Sequence, residues 1–116
     1  MNTYSLPPCR KITHARDFTD IIQNGFRFSG ALISVSYRQT EGPAARIGIS
    51  VGRRYGSAVQ RNRFKRLIRE SFRTEQHRMP PVDMIVMPLL PRQKPELGAV
   101  MKDFTGFIGN VTREAI

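Results

Sequence analysis

Nine basic residues stand between Arg53 and Arg78: Arg53, Arg54, Arg61, Arg63, Lys65, Arg66, Arg69, Arg73 and Arg78. They are set against only two acids, Glu70 and Glu75. The chemistry open to such a run is anion binding, because a guanidinium presents a planar fork that grips two phosphate oxygens and stacks on bases. At about 100° per residue from Ser57, the apolar Phe64, Leu67, Ile68 and Phe72 fall on one side of a helix. Lys65, Asn62, Arg69, Arg73 and Arg66 form a second stripe, roughly 100° wide, directly beside it. A solvated helix ordinarily mixes signs, with acids four residues before bases. This stripe has no acid, and like charges at i, i+4 cost an isolated helix a few tenths of a kcal/mol per pair. A polyanionic partner offsets that cost, so the stripe points to phosphate. Arg61 and Arg63 flank it at the first turns, where helix amides also attract anions.

Groups that could break a bond are sparse by comparison. A nuclease acting alone needs clustered carboxylates around metal or a histidine pair for proton transfer. Asp17 and Asp20 share one helix at a spacing that suits either a metal pair or a complement to the helix dipole. Asp83, Asp103 and the glutamates lie far apart, and His14 and His77 stand alone with no ligand at metal spacing. Cys9 follows Pro8 with no evident base, and Gly52 and Gly56 bracket a turn rather than a phosphate loop. We therefore expect no catalytic residue and no metal site on the chain.

The whole sequence repeats the message of the helix. Its 116 residues carry 19 Lys and Arg against 9 Asp and Glu, a net charge of +10. Such an excess predicts a polyanion, nucleic acid or a lipid surface. Four of the nineteen cations are lysine (Lys11, Lys65, Lys94, Lys102) and the rest arginine, which favours nucleic acid. No apolar run approaches the ~18 residues of a membrane helix, and the start lacks a signal-peptide core. A lone cysteine cannot form an internal disulfide, so we expect a reducing, cytoplasmic setting.

The elements that must position these residues fit one α+β domain spanning 1–116, with residues 1–9 expected as a flexible tail. Thr13 precedes a helical segment, His14 to Asn24, with Phe18, Ile21 and Ile22 on one side and Gly25 as its stop. Ala31 to Arg38 alternates, with Ile33, Val35 and Tyr37 opposite Ser34 and Ser36. Glu41-Gly42-Pro43 reads as a turn, and Arg46 to Val51 alternates again. The two segments read as an antiparallel pair with one buried face. Ser57 caps a long helix reaching about His77, which Pro80-Pro81 forbids from continuing. Val82 to Met87 reads as a buried strand. Pro95 opens a last helix in which Leu97, Val100, Met101, Phe104, Phe107, Ile108 and Val111 recur at three-to-four spacing. Core packing is the natural role of those aromatics, and Gly98, Gly106 and Gly109 make the helix dependent on it. The order is helix, two or three strands, helix, strand, helix.

The stretch Ile47 to Glu70, in which Gly56-Ser57-Ala58-Val59 leads into Arg61-Asn62-Arg63-Phe64-Lys65-Arg66, resembles the signature of the bacterial ribonuclease P protein subunit. The likeness extends to Arg10-Lys11, Arg16-Asp17-Phe18, Asn24-Gly25 and Asp83, and weakens beyond Met87. It implies a ribosomal-protein-like fold with three helices, a four-stranded mainly antiparallel sheet and a left-handed strand–helix–strand crossover, against the usual right-handed preference. The implied activity is endonucleolytic removal of the 5′ leader from precursor tRNA, with the chemistry carried by an RNA subunit and its magnesium. The implied partners are that RNA and the leader, with no membrane and no small-molecule substrate.

By the same resemblance Arg53, Arg54, Arg61, Asn62, Arg63, Lys65, Arg66, Arg69 and Arg73 bind the RNA subunit. Phe18, Ile22, Ser36, Arg10 and Lys11 contact the leader in a cleft between the first helix and the sheet. The chain departs from the family where Ile22 replaces a second aromatic and where Ser36 takes the place of a sheet aromatic. Tyr37 is one step out of phase and points to the opposite face. Pro88-Leu89-Leu90-Pro91 also intervenes before Arg92. A structural RNA-binding protein of ribosomal type, with no part in cleavage, is the alternative.

Overall fold

The computed structural model describes residues 11, 12, 14–40, 44–89 and 96–114. Cys9, Arg10, Thr13, the turn at 41–43, Arg92 and Pro95 lie outside them. Helix α1 spans Ala15–Asn24, followed by strands β1 Phe26–Ser29, β2 Ile33–Gln39 and β3 Arg46–Ile49. A 3-10 turn over Arg53–Tyr55 leads into α2, Ala58–Glu75, and a second such turn covers Gln76–Arg78. Strand β4, Val82–Pro88, and helix α3, Leu97–Glu114, complete the chain.

One sheet holds the four strands in the order β1-β2-β4-β3. The expected β2–β3 pair does not form. Strand β4 lies between them, antiparallel to β2 and parallel to β3. Alternation at period 2 reports which side chains share a face but carries no information about the neighbour. The segment between β3 and β4 is long enough for a helical crossover, and α2 supplies it, which makes a parallel pair possible.

The expectation of one buried face is also corrected. Ile33, Val35 and Tyr37 of β2 join Val82, Met84 and Val86 of β4 and Ile47 of β3 on one side. Phe64, Ile68 and Phe72 of α2 and Val100, Phe104, Phe107 and Val111 of α3 pack there and form the main core. On the other side α1 contributes Ile21 to a small cluster with Ile12 and Ile85, joined by Phe18 and Met87. Ser34 and Ser36 point to this second side and are buried as well. Small hydroxyls there let a helix approach the sheet closely.

Local chemistry explains the ends of the helices. The Ser57 hydroxyl accepts from the Gln60 amide at 3.2 Å, and the Gln60 side chain accepts from the Ser57 amide at 2.8 Å. This reciprocal box satisfies two of the donors that a helix start leaves open. Helix α1 ends where Gly25 turns to an extended backbone, its amide donating to the Ile21 carbonyl. Only glycine fits there, because a Cβ would lie 2.5 Å from the carbonyl oxygens of both Ile21 and Tyr37. Among the described residues no helix is long and apolar enough to cross a membrane.

Candidate nucleic-acid interface

Helix α2 meets the core through Phe64, Ile68, Ser71 and Phe72, and the adjoining face turns outward with Asn62, Arg63, Arg66 and Arg69 exposed. Arg61, Lys65 and Arg73 are half-buried along its margins. Asn62, Lys65, Arg66, Arg69 and Glu70 line a depression of about 680 Å³. Glu70 amends the sequence reading of an acid-free stripe, since it borders the same hollow as Arg66 and Arg69. Just before the helix, Tyr55 is buried with its ring 5.2 Å from that of Phe64, while Arg53 and Arg54 are exposed. The buried ring fixes the turn, and the turn aims both arginines at solvent. No acid sits in the first turn of α2. Its positive dipole end therefore adds to the side-chain charge instead of being neutralised.

A second hollow, of about 210 Å³, runs between α1 and the β3 edge and is lined by Lys11, Ile12, Phe18, Ile47, Gly48, Ile49, Lys65 and Arg69. Lys11 bridges to Ile47, and the Ile12 amide donates to the Ile47 carbonyl at 2.9 Å, so the chain before α1 seals that edge. The Phe18 ring rests on Gly48, where a Cβ would come within 2.6 Å of its Cζ. Only glycine leaves this seat for the aromatic. Lys65 and Arg69 border both hollows, which makes the apolar cleft and the cationic face of α2 one continuous surface.

Of the residues expected to touch a leader, Phe18 and Lys11 come together in the cleft. Ile22 is 37% exposed and Ser36 only 1%, and neither lines it. Ser36 lies opposite Ile85 in the sheet, in the layer that α1 covers, so it offers no accessible surface. Tyr37 faces the main core, its ring 5.2 Å from Phe107. Ile12, Ile47, Gly48 and Ile49 complete the cleft, the last three lying in the Ile47–Glu70 stretch but none of them expected to touch a leader. Apolar strand residues at a sheet edge carry no local mark of being cleft walls.

The acids fall into a different arrangement from a metal pair. Asp83 of β4 is 2% exposed and accepts from Arg46 Nε and a terminal Arg46 nitrogen at 2.8 and 2.7 Å. It also accepts from Arg38 Nε and Nη2 at 3.4 and 3.3 Å. Arg38 in turn donates to Asp17 at 3.3 Å and to Asp20. Burial raises the Asp83 carboxyl, but hydrogen bonds and charge from Arg46 and Arg38 outweigh it and hold the group below its usual range. Asp20 is lowered too, by its bonds from Asn24 and Arg38. The signal in the sequence was an acid inside an apolar strand, since a buried carboxylate demands a cation. Among the described residues no three His, Cys, Asp or Glu side chains gather as metal ligands would.

A family model described as Ribonuclease P matches residues 6–111. The ribonuclease P protein component of Chlamydia abortus is 31% identical over 102 residues, covering 87% of this chain and 73% of that protein. The component from Photorhabdus laumondii is 40% identical over 73 residues, covering 62% and 61%. The solved structure of the Staphylococcus aureus RNase P protein aligns with a TM-score of 0.76 at 25% identity, over 88% of this chain and 94% of that one. The RNase P protein of Thermotoga maritima aligns at 0.75 with 26% identity, over 86% and 96%.

Proposed function

The chain belongs to the ribonuclease P protein family, components of an endoribonuclease of tRNA processing, and from that premise we propose how it serves the holoenzyme. It binds the RNA subunit through the cationic face of α2 and the Arg53–Arg54 turn. It receives the 5′ leader of precursor tRNA in the cleft beneath α1. Cleavage belongs to the RNA subunit and the magnesium that RNA binds; the protein binds and orients.

The observation that carries this reading is the division of the cations. Arg38, Arg46 and Arg78 are paired with acids. Among the described residues Arg61, Arg63, Lys65, Arg66 and Arg69 have no acid partner. An RNA backbone supplies the counter-charge that these five side chains do not find among the described residues, Glu70 at their margin being paired with none of them. The cleft suits a single strand for a related reason. Its apolar floor and Phe18 offer a surface for an unpaired base, with Lys11, Lys65 and Arg69 at the margins for phosphates.

The Arg66→Ala/Arg69→Ala variant tests the first half. Its affinity for the RNA subunit should fall, and log affinity against log salt should become shallower by up to ~1 per charge removed. Unchanged affinity and slope would remove this face from the interface.

A further inference from the structure

Helix α1 is lightly attached for an element that walls a binding cleft. Ile21 is its one fully buried residue, and the cluster beneath it holds two other buried side chains, Ile12 and Ile85. Elements with so little apolar burial sit at the low end of local stability. What joins α1 to the middle of the sheet is Arg38. Its guanidinium donates to Asp17 and Asp20 on the helix and to Asp83 on β4, and Arg46 anchors Asp83 from the far side. A lone exposed ion pair would contribute little, but this fork is multidentate and rests on a buried, fixed carboxylate. Without Arg38, Asp17 and Asp20 would face Asp83 with one counter-ion fewer among them.

The clasp and the cleft share one side of the sheet. Arg46 lies opposite Asp83 and Gly48 opposite Ile85, so the network stands two residues, about 7 Å, from the seat of Phe18. Asp17 directly precedes Phe18 in α1. We propose that Arg38 is a positioning residue, whose hold on Asp17 and Asp20 sets the height of α1 over the sheet and keeps Phe18 where a leader base can reach it. The inference rests on the cleft being the leader site.

The test uses holoenzyme assembled with the RNA subunit and precursor tRNAs bearing either a leader of several nucleotides or a single one. Two variants release α1 by opposite charge changes. Asp17→Asn/Asp20→Asn leaves Arg38, Asp83 and Arg46 joined, and Arg38→Met leaves Asp83 with Arg46. Each should lose at least about fivefold in affinity for the long-leader substrate relative to the one-nucleotide substrate, the low end of one base stack. Amides of Ala15–Asn24 should exchange hydrogen faster in the double variant, with β4 amides unchanged. A common loss from variants of opposite charge excludes a long-range charge effect. Loss in Arg38→Met with a gain in the double variant would overturn the proposal and leave Arg38 as mere charge. Phe18→Ala separates the two levels. If it alters leader-length dependence and neither clasp variant does, the positioning role is wrong and the cleft stands. If Phe18→Ala has no leader-length effect, the cleft reading fails and this proposal with it.

Discussion

Phe18 packs on Gly48 and on the small cluster beneath α1, yet it remains half-buried and lines the cleft. A wholly core phenylalanine costs about 3–5 kcal/mol when cut to alanine. With one part of the ring open, Phe18→Ala should cost less stability than that. Binding of a precursor with a leader of several nucleotides should weaken by ~1–3 kcal/mol, and that of a one-nucleotide leader by less. Equal losses on both, with a large fall in Tm, would assign the ring to the core. Asp83 gives a prediction in pH. Its carboxyl is held below the usual range in the folded chain, so unfolding takes up a proton between that lowered value and about pH 4. The Asp83 contribution is therefore present above about pH 4 and is lost as the solution is made more acid. Urea unfolding across pH should show this acid limb in the wild type and a flatter one in Asp83→Asn, which is also less stable near neutrality. Equal pH profiles would contradict the ion network. At this scale the sequence showed the arginines plainly, because residue type and spacing suffice for charge. It did not show that Arg38 and Arg46 are committed inside the protein, because that depends on strands meeting across the fold.

Helix α2 was legible from its own residues, since Ser57, the apolar stripe and Pro80-Pro81 are all local signals. Strand β1 was not. Its four residues, Phe26-Arg27-Phe28-Ser29, do alternate, but a run that short on a sheet edge, with Phe26 63% exposed, is too brief to mark a strand. The turn that joins β1 to β2 is pinned from the far end of the chain, in addition to the ladder between the two strands. The Asp103 carboxylate of α3 accepts from the amides of Ala31, Leu32 and Ile33 at 3.0, 2.8 and 3.2 Å. A carboxylate that satisfies three amides cannot be removed cheaply, as each charge-assisted bond is worth about 1.5–3 kcal/mol. Asp103→Ala should lower stability by about 3 kcal/mol or more, read as a fall in Tm of roughly 10 °C, and Asp103→Asn by less. A change within ±0.5 kcal/mol, typical of an idle surface site, would refute the pinning role. In the sequence Asp103 was one of several scattered acids, and only the packing of α3 on the sheet gives it a task.

Over the whole molecule the sheet divides two kinds of work. The α2–α3 side carries the main apolar core, and α1 on the other side carries a small cluster and the ion network. The continuous surface formed by the cleft and the cationic face of α2 runs from α1 past the β3 edge through Lys65 and Arg69. On the proposed reading, a net charge of +10 would draw RNA toward that surface from a distance and make association sensitive to salt. On that reading the protein binds and orients while its RNA partner cleaves. Single-turnover cleavage of precursor tRNA at low magnesium tests it most directly, comparing the family's RNA subunit alone, this protein alone and the two combined. The protein alone should cleave nothing, and the rate should rise clearly when it joins the RNA. Metal-dependent cleavage by RNA-free protein, or an RNA rate that the protein leaves unchanged, would contradict it.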